Sequence, residues 1–351
     1  MEWIAKWNRQ RKYLAIASVM LVGLFFFYSI FLSPSGDEFL SDLDVEGNFY
    51  LEEPIRHLNL TIFPICAYEA SDTADFVTLD EGMKEKLVEI AEKENAQVSE
   101  LCICNKSDKP LYLMGGEIIA GGKQDRIVAQ NTIVPPKTQM GLSTFCVEKN
   151  RWSAANGRRF NPNDPAKFQS MNVLAKTGQR YRAQIDKDQS GGWAEVARTT
   201  AALSCQTATN TLSAVYKSKE VKEKVEPFTE VLKSELDEIE DLVGFVVSIN
   251  GEVHSCDIFG SPELLEKYRD KLINSYVIEA LTCEKVIEDE VSKYEVLDWF
   301  VEAAEEPESK VLTRVRDRHG SREVVETDSP NAAGVRSFYR GEEVHSNYFK
   351  Q

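Results

Sequence analysis

The 351 residues contain no Gly-x-Ser-x-Gly elbow, no Gly-x-x-x-x-Gly-Lys followed by Ser or Thr, and no His-Glu-x-x-His. These absences remove the local signatures of an α/β-hydrolase, a phosphate-binding loop and a zinc protease. Gly116 to Gly122 holds no Gly-x-Gly-x-x-Gly, so a dinucleotide-binding turn is not supported either. Histidine is scarce: there are four, far apart in the sequence, and no metal or other cofactor is expected. An excess of positive charge is also missing. The formal net charge is −16, which repels nucleic acid and argues against a nucleic-acid partner. None of the seven cysteines falls in a Cys-x-x-Cys spacing. An odd number leaves at least one thiol without an intramolecular bridge, and most read as small core residues. Cys102 and Cys104 fall on one face of a strand with no His nearby in sequence. Cys146 has no His, Asn or Asp partner signalled by spacing, so a nucleophilic role has no support.

What is present begins at the amino terminus. Tyr13 to Leu32 carries no charge. As a helix it would span roughly 30 Å, the thickness of a bilayer core. Lys6, Arg9, Arg11 and Lys12 precede it, and Asp37, Glu38, Asp42, Asp44 and Glu46 follow. The positive-inside rule puts the first dozen residues in the cytoplasm and the rest across the membrane. The competing reading, a cleaved signal peptide, needs a shorter apolar run and a small-residue cleavage site, and Ser33-Pro34-Ser35 fits that poorly. The expected organisation is a basic segment 1–12, a transmembrane anchor 13–32, an acidic linker 33–48 and an exported domain 49–351.

Within that domain, Leu58, Leu60 and Ile62 alternate as a strand. Asp80 is placed to cap a helix carrying Met83, Leu87, Ile90 and Ala91. Leu101 to Cys104 is apolar on both faces and reads as a central strand. Two more strand-like runs lie between Arg126 and Glu148, split by Val134-Pro135-Pro136-Lys137. Gly157 to Asp188 is polar and reads as a long connection, the kind that is more often functional than a short one. Its neighbourhood, 149–182, is basic in this acidic chain, a candidate anion site or a solvated face. A helix follows Gly191-Gly192, and Pro227 starts another through Phe228, Leu232, Leu236 and Ile239. Asn250-Gly251 between two apolar runs is the strongest short hairpin signal. Ser261-Pro262 opens a helix, serine as cap and proline in the first turn. Two hairpins are expected last, around His319-Gly320 and Arg340-Gly341. The pattern is α+β: a β-rich first half, a helical middle and late hairpins around a shared core.

The densest chemistry lies in Gly115-Gly116-Glu117 through Gly121-Gly122-Lys123-Gln124-Asp125-Arg126, followed by Cys146-Val147-Glu148 and Arg151-Trp152. Glycine pairs permit sharp turns and close backbone approach. With Thr144 to Glu148 as a strand, Phe145 and Val147 face the core, opposite Thr144, Cys146 and Glu148. Glu117, Gln124, Arg126, Glu148 and Arg151 then line one polar pocket. Glu117 and Glu148 are candidates for acid and base, and Arg126 and Arg151 for gripping a small anionic ligand. The alternative is that Glu148 neutralises Arg126 or Arg151 with no ligand at all. Asp257 and His345 read as turn and strand residues rather than a catalytic pair.

These motifs resemble a bacterial family, the ARG and rhodanese-phosphatase-superfamily-associated domain. Its hallmark is Gly-Glu, then Gly-x-Lys-Gln-Asn-Arg, then Cys-Val-Glu with Arg-Trp close behind. The match adds Trp152 to the candidate ligand residues and extends to Gly251–Phe259 with Asp257, Ser275-Tyr276, Glu279-Ala280, and Gly341 to His345. Asp125 stands where the family pattern has Asn. The family name records association with ADP-ribosylglycohydrolases and phosphatase-like proteins, so the resemblance implies a role around ADP-ribose or related nucleotides. The expectation is a membrane-anchored, extracytoplasmic domain that binds a ligand or a protein partner. The alternative is a hydrolase or transferase acting on an ADP-ribose-like, phosphate- or sugar-bearing substrate. Nothing in the spacing demands a reaction.

Overall fold

Leu60–Ala67 is uncharged and buried at every position, which makes it the middle of a sheet rather than an edge. It is β4 of a computed structural model that describes residues 44–45, 48–69, 74–152, 168–287, 289–304 and 308–351. Three short strands, β1 (Asp44–Val45), β2 (Phe49–Leu51) and β3 (Ile55–His57), flank it. The expected linker therefore ends in a strand at Asp44. The basic segment, the apolar run 13–32 and the start of the linker lie outside the described residues. Among the described residues, no helix is long and apolar enough to cross a membrane.

Helix α1 (Leu79–Lys84) is shorter than the spacing of Met83, Leu87, Ile90 and Ala91 suggests. Thr78, not Asp80, caps it, in a box with Glu81. After it Lys86 adopts a left-handed conformation (φ 61°), and Ile90 belongs to β5 (Val88–Gln97). There Val88, Ile90 and Glu92 are buried with period two, and that alternation overrides the helical spacing. Next come β6 (Glu100–Asn105), β7 (Leu111–Leu113), β8 (Glu117–Gly121), β9 (Arg126–Val128), β10 (Thr132–Val134), β11 (Thr138–Cys146) and β12 (Phe168–Leu174). Strand β6 buries Leu101, Ile103 and Asn105 and leaves Cys102 and Cys104 half-exposed, so it is not apolar-buried on both faces. Strands β7 and β10 pair with each other, and the others form a six-stranded sheet in the order β12-β8-β9-β11-β6-β5.

The stretch expected as a long connection instead contains β12 and α2 (Thr177–Gln184). Helix α2 escapes hydrophobic patterning because its buried face is Gln179, Arg180, Ala183 and Gln184. Then come α3 (Gln189–Ala202), α4 (Ser213–Lys217) and α5 (Lys219–Leu236). Pro227 lies inside α5 rather than at its start, because Ser218 caps the helix and Val221, Phe228, Leu232 and Leu236 bury one stripe.

Strands β13 (Leu242–Ile249) and β14 (Glu252–Phe259) form the hairpin at Asn250-Gly251, with positive φ at both turn residues, 54° and 78°. Helix α6 (Pro262–Leu281) starts at the Ser261 cap, and α7 (Lys293–Ala304) follows. The chain ends in β15 (Glu308–Asp317), β16 (Gly320–Asp328), β17 (Ala332–Tyr339) and β18 (Glu342–Lys350). These complete an antiparallel ten-stranded sheet, β1-β2-β4-β13-β14-β18-β17-β16-β15, with β3 beside β4. The fold is α+β, with seven helices among the described residues.

Helix α6 touches β12 of the smaller sheet and β13 and β14 of the larger one. One apolar cluster accordingly joins Phe245 and Phe259 of the large sheet, Leu272 and Tyr276 of α6, and Tyr112, Met114 and Leu174 from the first half. On the other face, Trp299 and Phe300 of α7 pack with Phe63, Val246 and Tyr348. Residues 44–351 make one compact unit.

Candidate functional site

The second glycine pair closes the turn between β8 and β9. Gly121 and Gly122 both have positive φ, and a Cβ on Gly122 would lie 2.4 Å from Phe168. The turn is tied down by charge. Arg126, fully buried, makes a two-pronged contact with Glu92 at 3.1 and 3.0 Å, and its other N–H groups donate to the carbonyls of Gln97, Val98 and Gln124. Arg151 donates to Gly122 O (2.8 Å), Asp125 Oδ1 (3.2 Å) and Glu148 Oε2 (2.5 Å). Glu148 Oε2 also accepts from the Asp125 amide at 2.9 Å. Asp125 accepts further from Gly121 N, Thr211 Oγ1 and Ser213 Oγ. A carboxylate at 125 serves all these donors and opposes Arg151, which an Asn with one acceptor oxygen does not. Trp152 is exposed above the turn, with Lys123 Nζ 5.0 Å and Arg126 Cζ 5.8 Å from its ring centroid.

Glu117 belongs elsewhere. Its carboxylate accepts from Lys271 Nζ (2.5 Å), Met114 N (3.0 Å) and Tyr268 Oη (3.3 Å). Lys271, itself buried, also reaches Asp80 at 2.8 Å. Burial works against the Lys271 ammonium, but the Glu117 and Asp80 carboxylates outweigh it and hold Lys271 above its ordinary value. The single pocket expected from Glu117, Gln124, Arg126, Glu148 and Arg151 is thus divided between separate ion-pair networks. The reason is that their partners, Glu92 and Lys271, come from distant strand and helix positions.

Next to Glu117, the first glycine pair makes room for α2. A Cβ on Gly115 would lie 2.6 Å from Gln184, and one on Gly116 (φ 97°) 2.5 Å from Arg180. Arg180 reaches past it to Asp257, with NH1 to Oδ2 at 2.9 Å and NH2 to Oδ1 at 2.5 Å. Tyr276 Oη donates to the same carboxylate at 2.6 Å, and His345 Nε2 lies 3.2 Å from it. Burial alone would raise Asp257; the Arg180 guanidinium and His345 outweigh it and hold the carboxyl well below its ordinary range. Burial lowers His345, so it is neutral near pH 7, with Nε2–H toward Asp257 and Nδ1 accepting from Asn131 Nδ2 at 3.3 Å. Asp257 and His345, read from the sequence as turn and strand residues, both lie in strands, β14 and β18, and they touch. Arg180, Asp257, Tyr276 and His345 are all buried.

One layer outward, the first turn of α2 opens into a cavity of about 830 Å³. Glu279 stands at that turn: its Oε2 accepts from Thr177 N at 2.8 Å, and its Oε1 pairs with Lys176 Nζ at 3.1 Å. Glu195 of α3 lies beside Gly178, where a Cβ would be 3.2 Å from its carboxyl carbon, and pairs with Arg198. His254 of β14 lines the cavity too, and its buried Nδ1 has no hydrogen-bond partner among the described residues. Among the described basic residues of 149–182, Lys176 pairs with Glu279, Arg180 with Asp257, Arg182 with Asp186 and Arg151 with Glu148. These four are therefore ion-paired, Lys149 lies 5.1 Å from the Trp193 ring centroid, and Arg158, Arg159 and Lys167 lie outside the described residues. No cluster of three or more His, Cys, Asp or Glu residues suited to a metal occurs among the described residues.

The model of the ARG and Rhodanese-Phosphatase-superfamily-associated Protein domain matches residues 48–349. The chain belongs to this family. Neither a curated protein nor a solved structure matches it. The ARG and Rhodanese-Phosphatase-superfamily-associated features scattered along the sequence meet in space: Gly116, Asp257, Tyr276 and His345 gather on Arg180, and Glu279 opens onto the cavity. Sequence reasoning missed Arg180, Glu195, Arg198 and His254 as members of these sites. Only the basic run containing Arg180 gave any signal.

Proposed function

We propose that the protein is a membrane-anchored, extracytoplasmic ligand-binding domain, with its ligand seat in the cavity at the first turn of α2. One contrast supports this seat. Glu117, Arg126 and Glu148 are buried within ion pairs, whereas the pairs Glu195–Arg198 and Glu279–Lys176 line, with His254, a cavity of 830 Å³. Small-molecule sites fill about 300–1,000 Å³ and combine apolar walls with a few convergent polar groups. Arg180, paired with Asp257, lies 5.4 Å from the ring centroid of Phe349, which lines the cavity. The anchor rests on Tyr13–Leu32 and the change of charge sign across it. Thermal-shift measurement of the full chain against neutral sugars, ADP-ribose and inorganic phosphate tests the seat. A ligand-induced rise in Tm should vanish in Glu279→Gln and persist in Glu148→Gln. The reverse pattern would move the seat back to the β8–β9 turn.

A hydrolase or transferase acting on an ADP-ribose-like, phosphate- or sugar-bearing substrate is the second reading. The observation in its favour is that Glu195 and Glu279 contact the adjacent residues Gly178 and Thr177, which places two carboxylates at one cavity. Turnover of a nucleotide sugar or ADP-ribose, lost in Glu195→Gln and kept in Glu148→Gln, would establish it.

A further inference from the structure

We infer that the cavity at the first turn of α2 takes a neutral saccharide of one or two rings. This inference rests on the reading of that cavity as the ligand seat.

The first observation is charge balance. The described lining carries four basic side chains, Lys176, Arg182, Arg198 and Lys350, and four acidic ones, Glu195, Glu252, Glu279 and Glu284. Three of the four cations already have carboxylate partners: Lys176 with Glu279, Arg198 with Glu195, and Arg182 with Asp186. A phosphate or carboxylate ligand would have to displace those partners and then face four acids. At the start of α2, the usual anion seat of a helix, the Thr177 amide is already answered by Glu279. The cavity therefore selects against net negative charge.

The second observation is the texture of the wall. Each ion pair sets an acceptor beside a donor, and the Thr282 hydroxyl adds a further polar group 3.4 Å from Lys176 Nζ. Adjacent donors and acceptors match the vicinal hydroxyls of a sugar, each of which donates one hydrogen bond and accepts others. His254 adds its imidazole ring to the wall, with Nδ1 buried and without a hydrogen-bond partner among the described residues. The half-buried ring of Tyr181, edge-on to Phe349 at 5.8 Å, supplies an apolar surface for the C–H face of a sugar ring.

Calorimetric titration of the full chain in detergent tests this, with glucose, maltose and N-acetylglucosamine as neutral probes and ADP-ribose and inorganic phosphate as anionic ones. At least one neutral sugar should bind with an affinity unchanged between about 50 and about 500 mM salt. Arg198→Ala, an exposed substitution that leaves the core untouched, and His254→Gln should each weaken it by about tenfold or more. If ADP-ribose or phosphate binds instead, sensitive to salt and to both variants, the saccharide inference is overturned while the cavity remains the seat. If no probe titrates, or if binding ignores both variants, the inference and the seat both fail.

Discussion

Asp257 is held by Arg180, Tyr276 and His345, and all four residues are buried, so removing its charge strands a guanidinium in the interior. Asp257→Asn should therefore cost about 3–5 kcal/mol in chemical denaturation. Glu148→Gln should cost less, about 1–3 kcal/mol, because Asp125 still faces Arg151 at 3.2 Å. Equal losses would mean that Asp125 does not share that charge. His345 gives the network a pH dependence whose sign is fixed. Burial lowers its folded-state pKa, so below the ordinary value of about 6.5 the unfolded chain takes up a proton that the folded chain refuses. Stability from this group is present above that value and is lost as pH falls toward the lowered one. Urea unfolding at about pH 7.5 and about pH 5.5 should show a smaller loss in His345→Gln than in the parent chain. Identical losses would remove His345 as the cause.

At the scale of elements, what was legible in the sequence depended on whether its cause was local. Asn250-Gly251 and Ser261-Pro262 act through their own backbone and side chains, and the hairpin and the start of α6 fall where those residues put them. Helix α2 was not legible, because the face it buries is Gln179, Arg180 and Gln184, and polar residues carry no hydrophobic period. The candidate site divides the same way. Glu117, Arg126, Glu148 and Arg151 were identifiable as a polar set, but their assignment to ion pairs required Glu92 and Lys271, 34 and 154 residues away from their partners. Pro227 is a local signal that tertiary packing overrides. It is exposed inside α5, so Pro227→Ala should raise stability, by up to about 3 kcal/mol. A fall in Tm would show that Pro227 itself is needed for packing. Gly116→Ala works in the other direction: with φ at 97° and Arg180 in the way, a loss of about 1–3 kcal/mol is expected.

For the whole molecule, α6 lies against both sheets, and its burial on several sides ties residues 44–351 together. Limited proteolysis should leave one resistant fragment of that extent. Stable halves separated near residues 185–190 would mean that the two sheets fold independently. A reporter that is active only in the cytoplasm, fused after Gln351, should stay silent if Tyr13–Leu32 anchors the chain with its domain outside. The central claim is that ligands enter the cavity at α2 rather than the glycine-bracketed turn. Hydrogen exchange on the full chain, with and without a saturating mixture of neutral saccharides, ADP-ribose and phosphate, tests it most directly. Protection of amides 176–182 and 252–254, with 116–126 and 146–151 unchanged, is the predicted result. Protection confined to 116–126 and 146–151 would contradict it.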